Sequence, residues 1–167
     1  CIVDDNSTDN TKEVLQNYIP FDTDRQVYED GEIKSYHTTF NIHDITLPNI
    51  GITIILKPTC TGPSDARNIW IRATIENTDL FLIADSDDIP AENKVEKLVS
   101  TWAGQENVGI VYGDYETLNE QGYRTREYKE VYSWERLKKE CIIHSNSLIT
   151  KKALELVKEG DDYYCSK

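Results

Sequence analysis

None of the four cysteines, Cys1, Cys60, Cys141 and Cys165, forms a CxxC pair, so a zinc site has no support. Free thiols in a reducing compartment are the simpler reading. No apolar run approaches the ~20 residues that a membrane span needs, and no signal peptide is visible. The expected location is cytoplasmic, with peripheral attachment at the inner membrane face left open. Basic residues are scarce: 18 Lys and Arg stand against 30 Asp and Glu, a net charge of −12. That argues against nucleic acid as the main partner, because a phosphate backbone wants a basic face. A nucleotide stays possible, since a metal ion and one or two basic residues can hold it. Internal repeats, low-complexity segments and signs of a domain boundary are all lacking. There is no starting Met, and Cys1-Ile2-Val3 reads like the end of a strand, so the chain is expected to begin inside a domain.

What is there is ordinary globular composition, 38% hydrophobic and 29% charged over 167 residues, enough for one domain with a real core. The stretch Leu80 to Pro90, LFLIADSDDIP, organises it. Leu80 to Ala84 is a mostly apolar run consistent with a buried strand. Asp85, Asp87 and Asp88 follow at once, and Pro90 marks the first turn of a new helix. A buried strand ending in clustered acids puts them at the mouth of a sheet, where open α/β sheets bind ligands. Adjacent like charges repel, so the cluster calls for cations. A hard divalent ion with oxygen ligands, Mg²⁺ or Mn²⁺, is the candidate. The bland alternative is an acidic turn neutralised by water and salt.

The remaining chain alternates strands with helices. The stub Cys1 to Val3 leads into the polar loop Asp4 to Asn10, where Ser7 or Asn10 caps a helix with Val14, Leu15 and Tyr18 on one face. Pro20 ends that helix. Residues 20 to 50 have no sustained period, although Val27 to Tyr36 suits a hairpin around Asp30-Gly31. His37 and His43 read as solvated. Gly51 to Lys57 is a β-branched strand. Ser64 is expected to cap a buried helix to about Glu76, with Arg67 in its first turn, where a cation is disfavoured unless an anion is near. Asp65 is one such partner. Ala91 to Trp102 reads as a helix stopped by Gly104, Val108 to Tyr112 as a strand, and Asn119 to Gly122 as a turn with Tyr123 to Tyr128 returning. Trp134 to Glu140 suits a short helix and Cys141 to Ile149 a strand. Thr150 caps a last helix with Ala153, Leu154 and Val157 inward, ended by Gly160. This alternation predicts an α/β domain with a largely parallel sheet.

Four segments in this order resemble the family 2 glycosyltransferases: IVDDNSTDNT at 2 to 11, GPSDARNIWIRAT at 62 to 74, LIADSDDIP at 82 to 90 and HSNSLITKKALELV at 144 to 157. The resemblance implies a single GT-A domain over 1–167, a Rossmann-like three-layer sandwich with a mostly parallel mixed sheet. The family's first strand is expected before residue 1, and residues 20–50 stand out as an atypical insertion. The implied function is metal-assisted, inverting transfer of a sugar from a nucleotide-sugar donor, a UDP-sugar by preference, to a glycan, lipid-linked or protein acceptor, as in cell-surface polysaccharide synthesis. Asp5 matches the acid that hydrogen-bonds the base, with Asp4 beside it. Arg67 matches the basic residue near the nucleotide. Asp85 and Asp87 match the two acids of the DXD motif, and Asp87 and Asp88 are the positions that approach the ribose, diphosphate and metal.

The chemistry suits these residues, because negative charge builds on the leaving diphosphate and a cation held by acids stabilises it. An inverting enzyme also needs a carboxylate base. Asp161 and Asp162 are acidic but follow the last helix too closely, and the base is expected beyond Lys167. Competing readings are helix-terminal charge for Asp4 and Asp5, a salt bridge to Asp65 for Arg67, and a structural histidine for His144, which is preferred to a catalytic one. A non-catalytic nucleotide-sugar or carbohydrate-binding module of the same fold is the alternative function. A nucleotidyltransferase would call for a Gly-rich basic loop after the first strand, and none is seen.

Overall fold

The computed structural model describes residues 1–18, 26–30, 33–40 and 50–164, and side chains within 1–17 and 51–164. Along the chain run β1 (Ile2–Asp4), α1 (Thr11–Tyr18), β2 (Gln26–Asp30), β3 (Ile33–Phe40), β4 (Ile50–Leu56) and α2 (Pro63–Thr74). Then follow β5 (Leu80–Leu82), α3 (Lys94–Trp102), β6 (Ile110–Val111), β7 (Tyr115–Leu118), β8 (Arg124–Glu127), α4 (Trp134–Leu137), β9 (Leu148–Thr150) and α5 (Lys151–Val157). The single domain expected over 1–167 divides into two compact units, Cys1–Asn77 with Lys158–Lys167, and Thr78–Val157.

The first unit is built on β4, whose β-branched residues suit a pleated surface. It pairs parallel with β1, Ile2 opposite Ile54 and Asp4 opposite Leu56. On its other edge it pairs antiparallel with β3, which pairs antiparallel with β2. The expected hairpin is therefore present, while Gly31, Pro20 and His43 lie outside the described residues. Successive residues of a strand point to opposite faces, and Ile54 and Ile55 are both buried, so β4 is covered on both faces. Ile2, Leu15, Ile52 and Leu56 pack on Ile54. α1 begins after Asn10, whose carbonyl accepts the Val14 N–H at 2.9 Å, so Asn10 and not Ser7 marks its start. α2 begins at Pro63 with Gly62 before it and no side-chain cap, in place of the expected Ser64 cap. Proline suits this first position, where its missing N–H costs nothing.

α2 buries Asn68, Ile69 and Ile71, while Ala73 is exposed. Asn68 is polar, and its partners explain its burial. Its Oδ1 accepts the backbone N–H groups of Tyr163 and Tyr164, both at 2.8 Å, and its Nδ2 donates to the Tyr164 carbonyl at 3.0 Å. One side chain thus does for residues 163–164 what a strand neighbour would do.

In the second unit β9 lies between β5 and β6 and runs antiparallel to both, with Ile149 opposite Phe81 and Ile110. β5 and β6 therefore point the same way, joined through α3. Phe81, Ile83, Val111, Ile142, Leu148 and Leu154 are its buried apolar residues. α3 starts at Lys94, after Asn93, so Pro90 lies before the helix and not in its first turn. It ends as expected, with Gly104 in the left-handed region at φ 79°. Thr150 Oγ1 accepts the Ala153 N–H at 3.1 Å and caps α5, but only Leu154 turns fully inward and Val157 is exposed.

Two expectations need correction. The strand expected over Cys141 to Ile149 is only Leu148–Thr150, because residues 144–147 are polar and bond elsewhere. Nor do the described strands form a largely parallel sheet. Among the described residues β1–β4 is the parallel pairing, and the rest are antiparallel. β5 and β6, joined through α3, run the same way but are not neighbours, because β9 lies between them and antiparallel to both.

Replacing Asn68 by Ala strands two half-buried N–H groups. We expect a loss of about 2–3 kcal/mol in urea unfolding. A loss below about 0.5 kcal/mol would show that water replaces the amide without penalty.

Candidate functional site

The first unit carries its acids where β1 ends. The parallel register continues one step past the strands, with the Lys57 N–H donating to the Asp4 carbonyl at 3.0 Å. This brings the next side chains, those of Asp5 and Lys57, together. Asp4 turns back on its own loop, its Oδ1 accepting the Ser7 N–H at 3.2 Å. Asn6 sits at φ 63°, a conformation Asn tolerates.

Asp5 is the most heavily bonded acid. Its Oδ1 accepts from Lys57 Nζ and from the Thr61 N–H at 3.1 Å. Its Oδ2 accepts from the Gly62 N–H at 2.7 Å and from Cys60 Sγ at 3.3 Å. An ionised carboxylate has about four acceptor sites, and all are in use. Partial burial pushes this carboxyl up. The bonds from Lys57, Thr61, Gly62 and Cys60 outweigh that and hold it down to about 2. Lys57 is buried. Burial alone would lower its pKa, but Asp5 and Asp65 raise it above the ordinary lysine value. Its Nζ lies 2.7 Å from Asp65 Oδ2, and Thr61 Oγ1 also bonds to both Lys57 and Asp65. The Lys57 and Thr61 bonds hold Asp65 below the usual carboxylate range.

Gly62 makes this loop possible. It sits at φ 97° and ψ 170°, which an L side chain rarely adopts. A Cβ there would meet no atom within 4 Å, so the restriction is backbone conformation and not space. Arg67, one turn into α2, lies with its guanidinium 5.7 Å from the centre of the Tyr164 ring.

Asp161 and Asp162 fall in a tight turn after α5, where residues 159 and 162 exchange backbone hydrogen bonds. Asp162 pairs with Arg72 at 2.9 Å. Asp161 lies 3.9 Å from Lys158 Nζ and is largely solvated.

The second unit carries its acids after β5. The Asp88 N–H donates to the Asp85 carbonyl at 3.1 Å and closes a turn. Ser145 Oγ donates to Asp85 Oδ2 at 3.3 Å, and Asn146 Nδ2 donates to Asp88 Oδ2. Asp87 is exposed, and its side chain has no partner among the described residues. The loop that supplies Ser145 and Asn146 is itself braced. His144 Nδ1 accepts the Asn146 N–H at 3.1 Å, and Ser147 Oγ donates to the His144 carbonyl at 2.5 Å. The His144 ring lies 4.7 Å from that of Tyr115. These contacts give His144 a structural job.

The matched segments therefore fold as a strand-end acid loop, a glycine-led helix start, an acid turn and the loop that braces it. A family model, glycosyl transferase family 2, matches residues 1–157. The chain belongs to glycosyl transferase family 2. No curated protein and no solved structure matched it. Membership carries an α/β fold of the GT-A type and glycosyl transfer as the general chemistry, with a nucleotide-sugar donor and an acceptor. Among the described residues no helix of this glycosyltransferase is long and apolar enough to cross a membrane.

Sequence reasoning missed Lys57, Ser145 and Asn146. Lys57 was signalled by its place: the residue after an apolar strand, opposite the residue after another. Ser145 and Asn146 were signalled by three consecutive polar residues, 145 to 147, inside a supposed buried strand.

The acid response of this glycosyltransferase follows from Asp5. Its folded pKa lies below its unfolded value near 4, so its stabilisation is present above about pH 4 and is lost as pH falls toward 2. The expected loss is on the order of 2 kcal/mol, and Asp5→Asn should flatten the slope of the unfolding midpoint between about pH 5 and pH 2.5. Lys57 runs the other way, its contribution fading only above the ordinary lysine pKa. An unchanged acid slope in Asp5→Asn would remove Asp5 from this role.

Proposed function

We propose that this family 2 glycosyltransferase moves a sugar from a UDP-sugar to a hydroxyl of a glycan, lipid-linked or protein acceptor, with inversion and with a divalent ion. The observation that carries the reading is Asp87, an exposed carboxylate without a partner among the described residues, in a turn whose other two acids are held. A lone acid of this kind is suited to a ligand and contributes little to the fold.

The donor set fits a shared Mg²⁺ or Mn²⁺ and not an all-protein cage. Among the described residues no three His, Cys, Asp or Glu side chains form a metal-holding group. Mg²⁺ is commonly held by one or two carboxylates together with substrate phosphates, and Asp87 and Asp88 would supply the carboxylates. When bound, such an ion stabilises the charge that grows on the departing diphosphate oxygen. Asp85 closes the turn that presents the two acids.

The nucleoside is assigned to Asp4, Asp5 and Arg67. Asp5 has no spare acceptor site, so a base N–H must displace an existing donor. Cys60 is the one to give way, because a thiol is the weakest donor of the four. The loop N–H groups and Lys57 then stay in place. Neither Asp161 nor Asp162 is assigned as the base. Asp162 is engaged by Arg72, and Asp161 lies on the same turn.

Calorimetry with UDP in Mn²⁺ and in EDTA tests the reading. Binding should weaken strongly in EDTA, and equal affinity would sink the metal role. Asp87→Asn should lower transfer by about 10²–10³ while leaving the fold intact. Transfer within a few-fold of the parent would show that Asp87 is not part of the site.

A further inference from the structure

Asp5 and Asp88 are held in different ways. Asp5 and Asp65 share a buried lysine, which neutralises part of their charge. The turn Asp85–Asp88 is gripped by a serine hydroxyl on Asp85 and an asparagine amide on Asp88. No basic side chain pairs with Asp87 or Asp88 among the described residues. A neutral donor fixes a carboxylate in place without spending its charge, whereas a lysine there would compete with an incoming cation.

Asn146 is the stronger of the two grips. Only 8% of it is exposed, so its rotamer is fixed by its surroundings. Its Nδ2 takes Asp88 Oδ2, and no partner occupies Asp88 Oδ1 among the described residues. Its own Oδ1 is buried and has no hydrogen-bond partner among the described residues. An unpaired buried carbonyl is a penalty, so an apolar side chain of the same size would serve the core better. What the amide gains at this place is its bond to Asp88.

We infer that Asn146 is a positioning residue. It holds the Asp88 carboxylate in the orientation that receives a divalent ion together with a diphosphate. The inference deepens the proposed function and rests on its reading of the acid turn.

The test measures Mn²⁺ affinity by electron paramagnetic resonance in the presence of UDP, beside thermal unfolding, for the parent protein and for Asn146→Leu, Asn146→Ala and Asp87→Asn. Loss of an outer partner of a metal ligand commonly weakens binding ~10–100-fold. Asn146→Leu should lose at least about tenfold in Mn²⁺ affinity while melting no lower than the parent. Those two readouts separate, and a merely structural residue would move them together. Mn²⁺ affinity within twofold of the parent in both Asn146 variants, with binding lost in Asp87→Asn, would overturn the positioning role and leave the proposed function standing. Unfolding of both Asn146 variants would make the residue structural and overturn the inference as well. If Asp87→Asn binds Mn²⁺ as tightly as the parent, the metal reading of the acid turn fails and takes the inference with it.

Discussion

A buried ammonium group between two carboxylates fixes the first unit. Lys57 touches Asp5 at the end of β1 and Asp65 in the first turn of α2. It thereby ties a strand end to a helix start, and the loop 60–62 closes around the pair. The arrangement follows from parallel pairing, since side by side strands that run the same way deliver their last residues to the same edge. Removing either carboxylate leaves this buried charge with one partner, and removing the lysine sets two acids against each other, so each change is costly. The stability of this unit and the shape of its acid loop therefore cannot be varied separately.

The second unit shows the same residue type held by a neutral group. Asn146 braces Asp88, and among the described residues the exposed Asp87 side chain has no partner. Chemistry that needs a charge on demand is served by the second arrangement, and a fixed scaffold by the first. Asp5 thus has a double claim on it, as scaffold acid and as a proposed contact of the base.

Much of this was legible from residue patterns. The β-branched run before Lys57, the hairpin around residue 31, the stop at Gly104 and the cap at Thr150 each rest on one local rule, and local rules survive folding. Family membership was legible for a different reason, because four motifs in a fixed order constrain far more than any one of them. Strand direction was not legible. The apolar pattern of β9 is the same whichever way it runs, and the inference from alternating helices failed where β9 lies between β5 and β6. Side-chain partnership was not legible either. The strand reading of Cys141 to Ile149 followed its isoleucines and overlooked that His144, Ser145 and Asn146 had hydrogen bonds to make. Lys57 was hidden for a similar reason, since lysines are rarely buried unless paired, and its pair is 52 residues away.

The loop at Gly62 has one more consequence. Its N–H makes the shortest of the backbone bonds to Asp5, at 2.7 Å, and its φ of 97° with ψ of 170° is the mirror image of an ordinary extended residue. Space is open around it. What the position refuses is therefore one handedness, not bulk. A D-alanine introduced there by chemical ligation would sit in a relaxed conformation and keep its N–H on Asp5, while the L-enantiomer, with the same atoms, would strain the chain. Glycine serves at this point as the nearest thing to a right-angled mirror that the ribosome can supply.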